Sequence, residues 1–308
     1  MPKPKLHIIS GPTAVGKTAV AIQLAKQLST SVISADSMQV YIGMDIGTAK
    51  PTKAEMDEVK HHQIDVVHPN EPYSVADYVS QAEQIIKHDI HYNPVIAGGT
   101  GFYINAIIYG TNFTETEEGQ HDKDNQLRQY YTQLAQEKGP VYLHEKLQAI
   151  DPDYAATLHP NNVKKVVRAL SFCETTGKLF SVHNKNQKAA EPKYDVNFTI
   201  LTMPREILYD RINTRVAAMW EAGLPQEVSG LLRIYSPSLP AMQGIGYKET
   251  IPYIEGRQTK EETISQIQQA TRNYAKRQET WFRHQAKNAR WIDVSNKTRQ
   301  QITEQVLQ

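Results

Sequence analysis

The sequence predicts an α/β fold: a mainly parallel sheet flanked by helices, interrupted by a helical insertion. Three observations predict it. Short apolar runs alternate with helical patterns up to about residue 111 and again from about 191. A glycine-rich turn follows the first apolar run directly. The tract 112–190 is polar, rich in Gln, Lys and Glu, and reads as helices without clear strands. Strands that alternate with helices form parallel sheets covered on both faces.

Each element has its own signal. Residues 6–10 are a short apolar run, read as a buried strand. Ala21, Leu24, Ala25 and Leu28 then fall on one helical face. Residues 31–34 read as a second strand, and 64–67 as a third candidate. Val75, Tyr78, Val79, Ala82, Ile85 and Ile86 mark a helix, and 94–97 a strand ending in Gly98-Gly99-Thr100-Gly101. In the insertion, 126–136 and 163–174 are the best helical stretches, and 185–193 reads as a loop or hinge. Residues 197–201 return the chain to the sheet. A long helix is predicted over 259–290, with Ile264, Ile267, Thr271, Tyr274, Gln278 and Trp281 as its packed stripe, and a last strand over 291–294. The domains expected are therefore a core of 1–111 with 191–308, and an insertion of 112–190.

Composition sets limits. A chain of 308 residues, 40% hydrophobic, can build one large domain or two smaller ones. Its net charge of +1 leaves a nucleic-acid partner open, because clustering of basic residues matters more than their total. The single cysteine, Cys173, excludes an intramolecular disulfide and any zinc module built on several thiolates. Met1-Pro2-Lys3-Pro4-Lys5 enters the first strand without a signal-type apolar stretch, and no run approaches the ~20 residues of a membrane span. A cytoplasmic, monomeric protein without membrane contact is expected.

Gly11-Pro12-Thr13-Ala14-Val15-Gly16-Lys17-Thr18 fits the phosphate-loop pattern in its strand-to-helix context, so the sheet is expected to be P-loop NTPase-like. Its backbone N–H groups and the positive end of the following helix would cradle an oligophosphate. Lys17 would reach the terminal phosphates, and the Thr18 hydroxyl would ligate Mg²⁺. Asp36 ends the second strand on the same rim, as a general base, a metal holder or a helix N-cap. Arg211 and Arg215, one helical turn apart, suit phosphate binding or an exposed face. His61, His62 and His68 lack the spacing of zinc enzymes. Residues 45–51 form a turn-rich stretch without a general signature. Arg272, Lys276, Arg283 and Lys287 make a basic helix face.

Taken together, these segments resemble the bacterial tRNA dimethylallyltransferase (tRNA isopentenyltransferase) family. The matching stretches are GPTAVGKT (11–18), DSMQVYIGMDIGTAKPT (36–52), HHQIDVVHP (61–69), GGTGFY (98–103), HPNNVKKVVRAL (159–170), RINTRVAAMWEAGLPQEV (211–228), QGIGYKE (243–249) and YAKRQETWFR (274–283). They occur in the family's order and span nearly the whole chain. Asn162 and Ser171 depart from the family's usual Asp and Glu.

The resemblance implies transfer of a dimethylallyl group from dimethylallyl diphosphate to N6 of adenine 37 in tRNA. The phosphate loop would then hold the diphosphate, with Mg²⁺ as cofactor. Asp36, Lys17 and Arg215 would be catalytic. Asp36, Ser37, Met38 and Gln39 would meet the target adenine and its neighbours, and Thr100 and Arg128 the flanking RNA. Lys164, Lys165 and Arg168, with Gln243, Gly244, Ile245, Gly246, Tyr247 and Lys248, would hold the stem and loop. Arg272, Lys276 and Arg283 would meet further phosphates. The alternatives are a small-molecule or nucleoside kinase and a nucleotide-gated RNA-binding module.

Overall fold

The chain begins as strand and helix in turn. In the computed structural model, which describes residues 3–88, 94–110, 120–188 and 191–308, β1 (Lys5–Ser10) leads into α1 (Lys17–Gln27) and β2 (Val32–Ser34). Next come α2 (Lys53–Glu58), β3 (His61–His62), α3 (Val75–His88), β4 (Val95–Ala97) and α4 (Gly101–Tyr109). Five helices follow: α5 (Gln120–Lys138), α6 (Pro140–Ile150), α7 (Pro152–Ala155), α8 (Val163–Thr176) and α9 (Phe180–Lys188). Then come β5 (Asp195–Thr202), α10 (Arg205–Glu221), α11 (Leu224–Leu232), α12 (Tyr247–Ile254), α13 (Lys260–Gln285), β6 (Arg290–Asp293) and α14 (Arg299–Leu307).

The six strands pair in parallel in the order β3-β2-β4-β1-β5-β6. β1 lies between β4 and β5, with Leu6, Ile8 and Ile9 wholly buried, as a strand covered on both faces requires. The chain leaves β1 for β2 on one side and returns through β5 on the other. The carboxyl end of β1 is therefore a topological switch point, where open α/β sheets bind ligands.

Three expectations need correction. The third strand is β3, not 64–67. Gln63 and Asp65 adopt positive φ (63° and 54°), which turns the chain there and leaves a single bridge between Tyr41 and Val67. The polar stretch from 185 is helical as far as Lys188; residues 189–190 lie outside the described residues. The long helix stops at Gln285, capped by Ala286, so β6 starts at Arg290.

The chain divides into two compact units, Met1–Ile108 with Pro192–Gln308, and Tyr109–Glu191. The expected domain limits at 111, 112 and 190 lie outside the described residues. In the first unit, α10 and α13 bury Leu208, Ile212, Val216 and Ile267 in one core with Val20 and Leu24 of α1. The start of α13 is set by a capping box: the Thr259 hydroxyl accepts the Glu262 N–H while the Glu262 carboxylate accepts the Thr259 N–H. Its buried residues Thr263, Ile267, Thr271, Ala275, Gln278 and Phe282 recur at helical spacing. The second unit packs Leu143, Leu147, Val166, Leu170 and Phe180 around the free Cys173. Among the described residues, no helix is long and apolar enough to cross a membrane.

Candidate active site

Two glycines suit the backbone of the turn after β1, although Ala14 within it also holds a positive φ of 65°. Gly16 caps α1 with φ 103°, and a Cβ on Gly11 would lie 2.3 Å from the Leu201 carbonyl oxygen. Lys17 folds over this turn and donates from Nζ to the carbonyls of Gly11 (3.0 Å) and Pro12 (2.8 Å). Burial pushes its pKa down to about 8, with Asp36 pulling upward and Arg215 pushing down. Thr18, the next residue of α1, is half-buried in the first turn of that helix.

Two of the three arginines of α10, Arg211 and Arg215, reach the turn. Arg215 donates from Nη2 to Thr13 Oγ1 at 2.5 Å, and Arg211 from Nη1 to the Val15 carbonyl at 3.5 Å. Burial lowers the pKa of Arg215, opposed by Asp36. Its Nε is buried without a hydrogen-bond partner. A buried guanidinium N–H without a partner is a donor that an anion at this end of the cavity could take.

Asp36 follows β2. Its Oδ1 accepts the Met38 N–H at 2.9 Å, so it closes an Asx turn rather than capping a helix. Thr100 accepts the Ser37 N–H at 3.0 Å and donates to Ser37 Oγ at 3.3 Å. The turn at 98–101 is glycine-rich because neighbours crowd it: a Cβ on Gly98 would lie 2.1 Å from the Ala35 carbonyl oxygen.

A cavity of about 360 Å³ gathers these parts. Thr13, Asp36 and Arg215 make its polar end, and Val216, Met219, Leu224 and Ile267 give it apolar walls. Ser37, Met38 and the segment 243–248 also line it. This arrangement can hold an anionic head with a small apolar tail beside a carboxylate.

Two residues expected at RNA are committed elsewhere. Gln39 accepts from Ser34 Oγ at 2.9 Å and donates to the carbonyls of Thr48 and Ala49, which uses both ends of its amide. The Tyr247 ring is wholly buried, and its hydroxyl donates to Glu227 at 2.7 Å. Lys248 and Gln243 are exposed at the ends of the same segment, while Gly246 is buried with φ 95°. In the second unit, Lys164, Lys165 and Arg168 are exposed on α8, and Arg168 sits over the Phe180 ring at 5.6 Å. Arg128 pairs with Asp124 at 2.8 Å. Although Arg168 is exposed overall, its guanidinium is partly covered beside the Phe180 ring. That burial and then the charge of Arg128 lower its pKa, so the two cations lie close together.

Sequence reasoning missed two residues that shape the site. Glu227 accepts the N–H groups of Asp45, Ile46 and Gly47 at 3.0, 2.7 and 3.1 Å, besides the Tyr247 hydroxyl. It thereby fixes the loop whose Gly47 and Thr48 line the cavity. Gln278 of α13 accepts the Thr13 N–H at 2.8 Å and donates to the Gly99 carbonyl at 3.0 Å. Each bonds to a loop remote in sequence, so no local pattern announces it.

Comparison with known proteins finds relatives along nearly the whole chain. A family model described as IPP transferase matches residues 39–285, and one described as isopentenyl transferase matches 4–69. A tRNA dimethylallyltransferase of Alkaliphilus oremlandii is 47% identical over 297 residues, covering 96% of this chain and 93% of the relative. One from Bacillus cereus is 45% identical over 294 residues, covering 95% and 90%. The crystal structure of a tRNA isopentenylpyrophosphate transferase from Bacillus halodurans is similar at TM-score 0.72 and 42% identity, covering 99% of this chain and 94% of that one. A eukaryotic dimethylallyltransferase acting on tRNA is similar at TM-score 0.79 and 29% identity, covering 95% and 74%.

Proposed function

The chain belongs to the IPP transferase family, and from that premise we infer that it is a tRNA dimethylallyltransferase. We propose that the donor is dimethylallyl diphosphate and the acceptor N6 of adenine 37. The observation that most supports this reading is that Asp36 and the Arg215–Thr13 pair line one cavity with apolar walls. A diphosphate fits the polar end, and a five-carbon tail fits against Val216, Met219 and Leu224. None of the relatives described above carries a kinase name, and the phosphoryl-transfer alternative has no support from them.

The chemistry follows from the residues. The exocyclic amine of adenine is a weak nucleophile, because its lone pair is delocalised into the ring. Asp36 takes the N6 proton as the bond from N6 to the allylic carbon forms. The carbon–oxygen bond breaks with its electron pair going to diphosphate. Negative charge then grows on phosphate oxygens, where the turn's backbone N–H groups, Lys17 and Arg215 stabilise it. The Thr18 hydroxyl would hold Mg²⁺. A single hydroxyl suits this ion, which keeps water and substrate phosphates in its shell. Bound there, Mg²⁺ would neutralise the leaving group's charge. The adenine leaves its stack to enter the cavity, and Ser37, Met38, Thr100 and the exposed ends of 243–248 receive it and its neighbours. Arg128, Lys164, Lys165 and Arg168 give the unit Tyr109–Glu191 a basic surface for the tRNA backbone.

The test is direct. The protein is incubated with labelled dimethylallyl diphosphate, Mg²⁺ and unmodified tRNA bearing adenines at positions 36, 37 and 38. Label at N6 of adenine 37, found by nuclease digestion and mass spectrometry, is expected. Unlabelled RNA, or label on another nucleotide, contradicts the reading.

A further inference from the structure

Gln278 takes no part in the chemistry above, yet it is 6% exposed and sits between the two halves of the site. Two of its partners are main chain, and they fix its amide: the Thr13 N–H can only donate and the Gly99 carbonyl can only accept, while the Tyr274 hydroxyl one turn back also bonds the side chain. One amide orientation serves both, and a carboxylate cannot. The approach is close, since a Cβ on Gly99 would lie 2.2 Å from Gln278 Nε2. Beyond Gly99 the line continues. Thr100 holds Ser37 through its hydroxyl, and Asp36 closes its turn on Met38. A hydrogen-bonded path thus runs from the phosphate turn, through Gln278 and the 98–101 turn, to the carboxylate.

We propose that Gln278 is a positioning residue that fixes the separation between the diphosphate cradle and Asp36. The proposal rests on the transferase reading given above. The donor's allylic carbon is held through its diphosphate by one loop. The acceptor amine is held by another. Reaction needs the two atoms about 3–3.5 Å apart and aligned, and a displacement of about 1 Å costs about 100-fold in rate. Thr13 is gripped twice, by Arg215 at its hydroxyl and by Gln278 at its amide, so the end of the cradle nearest Arg215 cannot shift without the 98–101 turn. Because α13 is a single capped helix packed on the core, it carries Gln278 rigidly.

Single-turnover transfer at saturating tRNA and dimethylallyl diphosphate is measured for wild type, Gln278→Met, Thr100→Val and the double variant, together with the Kd of each substrate. Gln278→Met is expected to transfer about 100-fold more slowly without a comparable loss of affinity for either substrate. The double variant is expected to be no slower than the slower single variant, because both cuts open the same line. Gln278→Glu keeps the bond to Thr13 but opposes the Gly99 carbonyl. It is expected to show the same rate loss and serves if Gln278→Met does not fold. A rate close to wild type, a loss matched by weaker donor binding, or additive losses in the double variant overturns the proposal. Absence of transfer by the wild-type protein contradicts the activity itself, whereas transfer indifferent to these substitutions contradicts only the role of Gln278.

Discussion

Arg215 donates to the hydroxyl of Thr13, joining α10 to the phosphate turn across a gap of 202 residues in sequence. The contact holds a buried guanidinium, with its Nε still unpartnered, at the polar end of the cavity. Replacing Arg215 with Gln is expected to lower kcat by about 10²–10³, the cost of losing one donor to developing charge. Steady-state transfer assays check this, and a change confined to KM would contradict it.

Lys17 makes donor binding depend on pH. Its pKa in the free protein lies at about 8, and a bound diphosphate raises it by adding negative charge. Above pH 8 binding must therefore take up a proton, and affinity falls by up to tenfold per pH unit. Below pH 8 the lysine is already charged and contributes no slope. Because Asp36 pulls this pKa upward, Asp36→Asn moves the onset to lower pH. Calorimetric titration of dimethylallyl diphosphate without tRNA, across pH 7 to about 10, measures both effects. Lys17→Met should lose the slope.

Glu227 stabilises the loop at 45–47 as much as it shapes the cavity. Glu227→Ala leaves three N–H groups and the Tyr247 hydroxyl without their acceptor. A loss of about 2–3 kcal/mol of folding stability is expected by urea denaturation. Gly47→Ala is expected to disturb the same loop, since its Cβ would lie 2.5 Å from the Tyr247 ring.

Lys164 and Lys165 are exposed charges in the first turn of α8. If they neutralise tRNA phosphates, Kd for tRNA rises on replacing either with Ala, and the salt dependence of log Kd falls by about 1 per charge removed. Binding titrations over a range of KCl concentrations read both quantities.

The phosphate turn was legible because its eight residues are contiguous, and Asp36 because a strand end placed it on the same rim. The loop at 61–67 was not, because Gln63 and Asp65 enter the left-handed region without being glycine. Lys50 stood in a stretch with no readable signature. Its side chain is 4% exposed and bonds Asp45, Asp65 and the Tyr41 carbonyl, a convergence that only the folded loop creates. Glu227 and Gln278 were hidden for a related reason: their partners lie 180 and 265 residues away. Gln278 does sit on the stripe read from the sequence, but periodicity tells burial and not hydrogen bonding. The buried Tyr247 shows the converse, a motif residue whose neighbours face the cavity while its own ring packs inward.

The central claim is that Asp36 removes the proton from the acceptor amine beside the diphosphate cradle. Asp36→Asn keeps the shape and the acceptor oxygen that closes the turn on Met38, but removes the base. The measurement is tRNA affinity and single-turnover transfer on one preparation of this variant. Unchanged affinity with transfer slowed by about 10²–10⁴ is the predicted result. Transfer at the wild-type rate would contradict the account.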